Sequence, residues 1–221
     1  MHEASRVGAG PVPALHTTDD LIAYESTVDI AYCGVDLGLQ KETRFRDKGA
    51  HDPTPTHYFI LEQLFGYFSF DDRSHLLDVG CGAGRALAHF LQKGYPGRVT
   101  GVELDPALAD VGKAWTAKYR NLTVVQGDVL EMDLSRFTDF YLFNPFDASV
   151  LQRFIQEVEA QVAHPCTLVH MSDNGDTWWY VGRDGWTEVA SGEIQSFRNA
   201  RGVQVRVYET PQHYTVWRYE P

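Results

Sequence analysis

Residues 76–85 read LLDVGCGAGR, an apolar run that ends in an acid and continues with three glycines at every second position. The run indicates a buried β-strand that turns sharply into a helix. Glycine lacks a Cβ, so its backbone can lie directly against a ligand, and the free N–H groups of the following helix face the same place. The stretch therefore predicts a loop that binds a nucleotide-type cofactor, with a purely structural tight turn as the alternative.

The spacing of the glycines separates two classes of cofactor loop. A dinucleotide-binding loop follows G-x-G-x-x-G, and that pattern would need glycine where this chain has Arg85 or Leu87. The chain instead has Asp78 before a G-x-G-x-G run from Gly80 to Gly84. This spacing disfavours a nicotinamide-dependent oxidoreductase, which stays as an alternative function.

Two further predicted strands end in acids. The second strand ends in Glu103, and an acid about 20 residues after the glycines accepts hydrogen bonds from the ribose hydroxyls in nucleotide-binding α/β folds. Asp105, directly before Pro106, is interpreted as the N-cap of the next helix. Asp128 follows the third strand, where a loop cap is the alternative interpretation. Because parallel strands end at one edge of a sheet, Asp78, Glu103 and Asp128 are expected to share one crevice.

The order D-x-G-x-G-x-G resembles motif I of the class I S-adenosylmethionine-dependent methyltransferases, which implies S-adenosyl-L-methionine as the cofactor. In that family the acid of motif I lies near the methionine end of the cofactor. The acid after the third strand often meets the adenine amino group, and the next apolar residue packs on the ring. The resemblance implies cofactor contacts for Asp78, Gly80, Cys81, Gly82, Gly84, Glu103, Leu104, Asp128 and Val129.

A fourth strand ends in Asn144-Pro145-Phe146, the position of motif IV in the same family, where the methyl group and its acceptor meet. Amino-group methyltransferases often carry N-P-P-Y or N-P-P-F there, and this chain has a single proline. Asn144 is therefore a candidate catalytic residue that orients the acceptor. A helix N-cap or an Asx turn before a helix at about 148–162 is the alternative.

The chain also resembles a group of largely uncharacterised bacterial class I methyltransferases. The matching motifs are G-V-D at 34–36, D-x-G-x-G-x-G-R at 78–85, G-V-E at 101–103 and F-N-P-F at 143–146. The resemblance implies an α/β, Rossmann-like class I methyltransferase fold with a seven-stranded, mostly parallel sheet and a C-terminal antiparallel hairpin. We expect this cofactor-binding domain at 54–221, after an N-terminal arm and possible lid at 1–53. The expected acceptor is a small molecule or a polypeptide, methylated on N or O.

Composition narrows the remaining possibilities. The chain has 221 residues, 43% of them hydrophobic, which suits one globular α/β domain. Its formal net charge of -11 opposes a phosphate backbone, so we do not expect a nucleic-acid partner. The three cysteines lack C-x-x-C spacing and no apolar run is long enough to span a bilayer, so we expect a cytoplasmic protein without a membrane partner. No metal-binding histidine spacing is present, so we do not expect a metal site. A protein that binds the cofactor without catalysing a reaction remains an alternative function.

Some expectations concern segments outside the βα repeat. Residues before about Asp20 have little periodic apolarity and predict a mobile arm. The four basic residues at 41–48 either meet an anionic group on the acceptor or face solvent. A helix is predicted to begin at Pro55. His170 and Asp173, after the fifth strand, are the residues considered as a general base, with a structural role as the alternative.

Overall fold

The chain forms a seven-stranded sheet with helices on both faces, in a computed structural model that describes residues 15–39, 41–173, 176–199 and 201–221. The strands are β1 (His75–Val79), β2 (Arg98–Glu103), β3 (Leu122–Gln126), β4 (Asp139–Phe143), β5 (Cys166–Met171), β6 (Trp186–Ile194), β7 (Ser196–Arg198), β8 (Gln204–Arg206) and β9 (Gln212–Tyr219). The α-helices are α1 (Thr18–Cys33), α2 (Tyr58–Leu64), α3 (Arg85–Lys93), α4 (Pro106–Thr116) and α5 (Ala148–Gln161). Within the described ranges, no helix is long and apolar enough to cross a bilayer.

The strand order is β3-β2-β1-β4-β5-β9-β6, and the short strands β7 and β8 pair separately. Strands β1 to β5 are parallel, whereas β9 runs antiparallel to both β5 and β6. This arrangement confirms the predicted mostly parallel sheet with a C-terminal antiparallel hairpin. Because the order reverses between β1 and β4, their connections leave on opposite faces and open a crevice at their carboxyl ends.

The burial of each strand follows its place in the sheet. Every residue of β1 and β5 is buried, as expected for central strands covered on both faces. The edge strand β3 is less buried, because Leu122 and Val124 are buried whereas Thr123 and Gln126 are exposed. One apolar core lies under α2 and α3 and includes Leu61, Phe65 and Phe90, and the other lies under α5 and includes Phe154 and Ile155.

Helix α2 begins at Tyr58, so the predicted start at Pro55 is wrong. His57 still has an extended backbone (φ -66°, ψ 144°), and the N–H of Tyr58 donates to Glu25 Oε1 at 2.7 Å. A carboxylate on α1 thus satisfies a free N–H at the start of α2. The apolar side chains of α2 and of the turn that follows it face the core, because Tyr58, Leu61, Leu64, Phe65 and Phe68 are all buried.

Helix α1 corrects the expectation of an arm without structure up to about Asp20. Thr17 and Asp20 form a capping box at its start, which is a strong local signal for helix initiation. Its buried side includes the acids Glu25 and Asp29, so apolar periodicity does not reveal it. The rest of the predicted mobile arm, residues 1–14, lies outside the described residues.

Candidate functional site

A cavity of about 350 Å³ opens at the carboxyl ends of β1, β2, β3 and β4. The sequence-predicted residues that line it are Asp78, Gly80, Cys81, Gly82, Glu103, Leu104, Asp128, Val129 and Asn144. Gly84 is not among the lining residues. The cavity therefore brings the strand-end acids and most of the glycine loop together.

Gly82 and Gly84 of the loop differ in what surrounds their Cβ positions. Gly82 has φ +56°, and a Cβ built there meets nothing within 4 Å, so its backbone faces open space in the cavity. Gly84 has φ +97°, and its Cβ position lies 3.1 Å from the Trp115 ring. Gly82 thus keeps the cavity floor clear for a ligand, whereas Gly84 allows close packing beneath it.

Asp78 is a buried residue of the cavity lining, and one of its carboxyl oxygens has no partner among the described residues. Its side chain is only 4% exposed, and its Oδ2 has no hydrogen-bond partner within the described part of the chain. Burial, with a smaller contribution from Glu103, raises the pKa of Asp78 to about 8. A buried carboxyl oxygen without a partner is costly, so this position suits a ligand that brings a cation or a hydrogen-bond donor.

Glu103 connects the glycine loop to the loop after β2 through hydrogen bonds. Its Oε2 accepts the N–H of Gly82 at 2.8 Å, and its Oε1 accepts the N–H of Asp105 at 2.8 Å. Burial raises the pKa of Glu103, and these hydrogen bonds oppose the rise. A carboxylate has about four acceptor sites, so both oxygens keep lone pairs for a ligand hydroxyl.

The other two acids at this edge act as caps. Asp105 accepts the N–H groups of Ala107 and Leu108, which confirms its predicted N-cap role, and Lys41 Nζ lies 2.6 Å from its Oδ2. Asp128 Oδ1 accepts the N–H of Leu130 at 3.0 Å, and the Asp128 side chain also borders the cavity. Both interpretations given for Asp128, loop cap and cavity residue, are therefore compatible with its position.

Cys81 packs tightly inside the loop. It is buried, and a Cβ at Gly101 would come within 2.6 Å of its Sγ. Burial, with smaller contributions from Asp78 and Glu103, raises the pKa of the Cys81 thiol well above its usual value. A neutral, packed thiol fills space and is a poor nucleophile.

Asn144 lines the cavity next to the glycine loop and has a left-handed backbone (φ 41°). The N-cap of α5 is Asp147, whose Oδ1 accepts the N–H groups of Ser149 and Val150. The N-cap alternative for Asn144 is therefore wrong, because the chain travels three residues further before the helix begins. Its half-buried side chain remains available to the cavity.

Residues 41–56 form a roof over this edge of the sheet. Ala50 pairs with Phe146, and the N–H of His51 donates to the carbonyl of Pro145 at 3.0 Å. The hydroxyl of Thr56 lies 3.1 Å from that of Tyr141 on β4. The roof is thus attached to the sheet at motif IV and beside the cavity.

The basic residues of the roof are mostly paired with protein acids. Lys41 and Arg44 reach Asp105, at 2.6 and 4.0 Å, and Arg46 lies 2.6 Å from Asp52. Lys48 lines the cavity together with Arg153 of α5. Of the four basic residues singled out in the sequence, Lys48 is thus the one placed at the cavity without such an ion pair among the described residues.

Sequence reasoning missed two residues near the cavity. Arg85 is buried, and its guanidinium donates to Glu25 at 3.1 Å and to Asp29 at 2.7 Å. Its position directly after the glycines was visible, but its acidic partners lie on α1, far back in the sequence. His51 was missed because its contacts with residues 144 and 145 are equally remote.

The residues considered as a general base lie elsewhere. His170 and Asp173 are buried, and neither lines the cavity. Burial lowers the pKa of His170 to about 4, although Asp173 opposes the shift. A neutral, enclosed imidazole at this position fits the structural interpretation of His170.

Comparisons with known proteins agree with this geometry. Residues 76–164 match a protein family described as a methyltransferase domain. A probable ribosomal RNA small subunit methyltransferase A of Methanococcoides burtonii is 30% identical over 105 residues, which is 46% of this chain and 37% of that protein. An rRNA adenine N-6-methyltransferase of Lysinibacillus sphaericus is 21% identical over 113 residues, or 49% of this chain and 46% of that protein.

A solved RNA methyltransferase from Salinibacter ruber, in complex with S-adenosyl-L-homocysteine, has a similar fold. Its TM-score is 0.54 at 20% identity, covering 76% of this chain and 94% of that one. The chain spans less than half the length of the two curated relatives it matches. Residues 76–164 thus resemble a methyltransferase domain, and the chain shares its fold with the solved methyltransferase.

Proposed function

We propose that the protein transfers a methyl group from S-adenosyl-L-methionine to a nitrogen or oxygen of a small-molecule or polypeptide acceptor. The observation that carries the proposal is the meeting of Asp78, Gly82 and Glu103 at one cavity. These residues offer a carboxyl group with one oxygen unpaired among the described residues, an open backbone and a second carboxyl group along one crevice. That sequence of groups suits the ammonium, the sulfonium and the ribose of the cofactor.

Each cofactor contact follows from the chemistry of the residue. Asp78 would accept from the cationic amino group, and the loop from Gly80 to Gly84 would pass beneath the methionine part, with Gly84 contributing through packing. Glu103 would accept from the ribose hydroxyls with its remaining lone pairs. Asp128 and Val129 would contact the adenine, because both border the cavity at the end of β3.

The acceptor side of the cavity lies at motif IV. Asn144 lines the cavity there and would orient the acceptor, and Lys48 and Arg153 add positive charge to the lining. The cofactor supplies a reactive methyl group, so the protein mainly has to align the acceptor and exclude water. The three cysteines are free, which is consistent with our proposal of a cytoplasmic location.

An RNA acceptor is the second candidate, and it is favoured by the curated relatives, which carry the names of ribosomal RNA methyltransferases. The net charge of -11 weighs against it, since a phosphate backbone would be repelled at long range. Lys48 and Arg153 provide a local exception at the cavity itself. The assay for the methyl acceptor should therefore include an RNA fraction.

Two measurements test the proposed function. Titration calorimetry should show binding of S-adenosyl-L-homocysteine, and a thermal-shift comparison should show stabilisation by this ligand and none by NADH. Transfer of labelled methyl groups to a cell extract, separated into small-molecule, protein and RNA fractions, should then identify the acceptor class. If S-adenosyl-L-homocysteine does not bind, the proposal is wrong. If it binds but no methyl group is transferred, a non-catalytic cofactor-binding protein is favoured.

A matched pair of variants links binding to the cavity. Asp78→Asn removes a buried carboxylate at the carboxyl edge, and Asp139→Asn removes a buried carboxylate at the start of β4, outside the cavity. Loss of a charge-assisted hydrogen bond is worth about 1.5–3 kcal/mol, or about 10- to 100-fold in affinity. Only the first variant should show this loss.

A further inference from the structure

His51 is fixed against motif IV by its own main chain. Its N–H donates to the carbonyl of Pro145 at 3.0 Å, and its neighbour Ala50 forms a β-bridge with Phe146. His51 lines the same cavity as Asn144 and Asp78. The main chain of His51 is therefore fixed beside motif IV by contacts that do not depend on its side chain.

The hydrogen bond of the ring determines its tautomer. Nδ1 of His51 lies 3.0 Å from the carbonyl oxygen of Asn144. A carbonyl only accepts hydrogen bonds, so Nδ1 carries the hydrogen and the neutral ring has its lone pair on Nε2. No hydrogen bond from Nε2 to a described residue is found. A base held by its other nitrogen in this way is the arrangement that orients histidine for proton transfer.

Charged groups of both signs surround His51. The pKa of Asp147 is lowered chiefly by the Ser149 hydroxyl, with a smaller contribution from His51. The pKa of Asp176 is raised by burial, while Trp179 and His51 act in the opposite direction. Asp147 and Asp176 thus lie near enough to His51 to interact with it, and the cations Lys48 and Arg153 line the same cavity as His51. The adjacent Asp52 is already paired with Arg46.

The other histidines near this edge of the sheet are engaged elsewhere. His57 Nδ1 lies 2.8 Å from Glu25, and His213 Nδ1 lies 2.8 Å from Asp173. His170 is a buried residue of β5 itself and does not line the cavity. His51 is the only histidine among the described residues that line the cavity.

We propose that His51 is the general base of the reaction, an inference that rests on the proposed function. The acceptor then belongs to the class that must lose a proton, a hydroxyl or a protonated amine. A protonated amine first gives its proton to Nε2 and thereby gains the lone pair that attacks, whereas a hydroxyl gives its proton to Nε2 as it attacks. The acceptor lone pair then forms a bond to the methyl carbon while the carbon–sulfur bond breaks, and the electron pair of that broken bond stays on sulfur. Nδ1–H keeps its hydrogen bond to the carbonyl of Asn144 throughout.

The test uses His51→Asn, since the asparagine amide can replace Nδ1 as donor to the Asn144 carbonyl but cannot accept a proton. His164→Asn, a histidine outside the cavity, is the matched control. Labelled-methyl transfer to the extract fraction identified with wild type is measured at saturating S-adenosyl-L-methionine between pH 5 and 9. Affinity for S-adenosyl-L-homocysteine is measured in parallel.

We expect wild type and His164→Asn to gain activity with rising pH, because a general base must be deprotonated before it can accept a proton. His51→Asn should lose about 10²- to 10⁴-fold in rate, as expected for removal of a general base, and should lose that pH dependence. Its ligand affinity should stay within about twofold of wild type. Added imidazole should restore part of the activity of His51→Ala.

Three results would overturn the inference. These are an unchanged rate in His51→Asn, a retained rise with pH, and a loss of ligand affinity equal to the loss of rate. Absence of any transfer by wild type is a different outcome, because it would remove the proposed function as well.

Discussion

Arg85 Nη2 lies 2.7 Å from Asp29 Oδ2, which ties the helix after the glycine loop to the first helix of the chain. Both groups are buried, with 7% and 0% of their side chains exposed. Glu25 adds a second contact to the same guanidinium at 3.1 Å. The loop that borders the cavity is therefore supported from beneath by residues more than 50 positions earlier.

Removing this guanidinium should be strongly destabilising. Arg85→Met leaves two buried carboxylates without their cation, and breaking a buried ion pair from one side costs about 3–5 kcal/mol. Urea denaturation should show this loss in the free energy of unfolding. Arg73→Met removes an arginine that is 91% exposed and should change it by less than about 0.5 kcal/mol. Equal effects in the two variants would contradict the importance of the buried cluster.

The stability of the ligand-free protein should depend on Asp78. Its pKa is raised to about 8, so the folded state holds a proton that the unfolded state releases near pH 4. This contribution is complete below about pH 4 and is lost as the pH rises through about 8. The melting temperature should therefore fall between about pH 4 and 8, and Asp78→Asn should reduce that fall, most clearly between about pH 6 and 8.

Asp139 provides the control for this pH dependence. Burial raises its pKa to about 6, so its own contribution is lost mainly between about pH 4 and 6. Asp139→Asn should keep the wild-type fall in melting temperature at higher pH. A fall that persists unchanged in Asp78→Asn would assign it to another group.

Cofactor affinity should have the opposite pH dependence. A cationic amino group binds the ionised form of Asp78, so binding of S-adenosyl-L-homocysteine should tighten as the pH rises from about 6 to 8 and should release a proton near pH 7. Calorimetry in buffers of different ionisation enthalpy measures that proton. Asp78→Asn should bind more weakly, and it should release no proton over this range.

Gly82 can be tested against a glycine of similar geometry. Gly82 and Gly94 have φ +56° and +64°, and neither has an atom within 4 Å of its Cβ position. Gly82→Ala and Gly94→Ala should each cost about 1 kcal/mol of stability through backbone strain. Only Gly82→Ala should also weaken ligand binding, because its Cβ enters the cavity. Similar binding by both variants would place the ligand away from the loop.

Local sequence patterns were sufficient for the parts of the fold that repeat. The apolar strands, the acids at their ends and the N-cap at Asp105 depend on residues close together in the chain. The parallel order then brings Asp78, Glu103 and Asp128 to one edge without further information.

Contacts between distant residues account for what the sequence did not reveal. The buried side of α1 includes Glu25 and Asp29, which are recognised as buried only when Arg85 is seen opposite them. Gly84 was grouped with the cavity by spacing, but it packs against Trp115 on α4. The orientation of His51 depends on a carbonyl 93 residues later.

The carboxylate of Glu25 connects helix α1 to the helices that follow it, so the chain cannot be shortened before α2 without loss of stability. One of its oxygens starts α2 by accepting from Tyr58, and the other receives Arg85 and His57. A fragment lacking α1 would leave the first N–H of α2 without its acceptor and the buried Arg85 guanidinium without its two carboxylates. Helix α1 and the sheet should therefore unfold together in a single cooperative step.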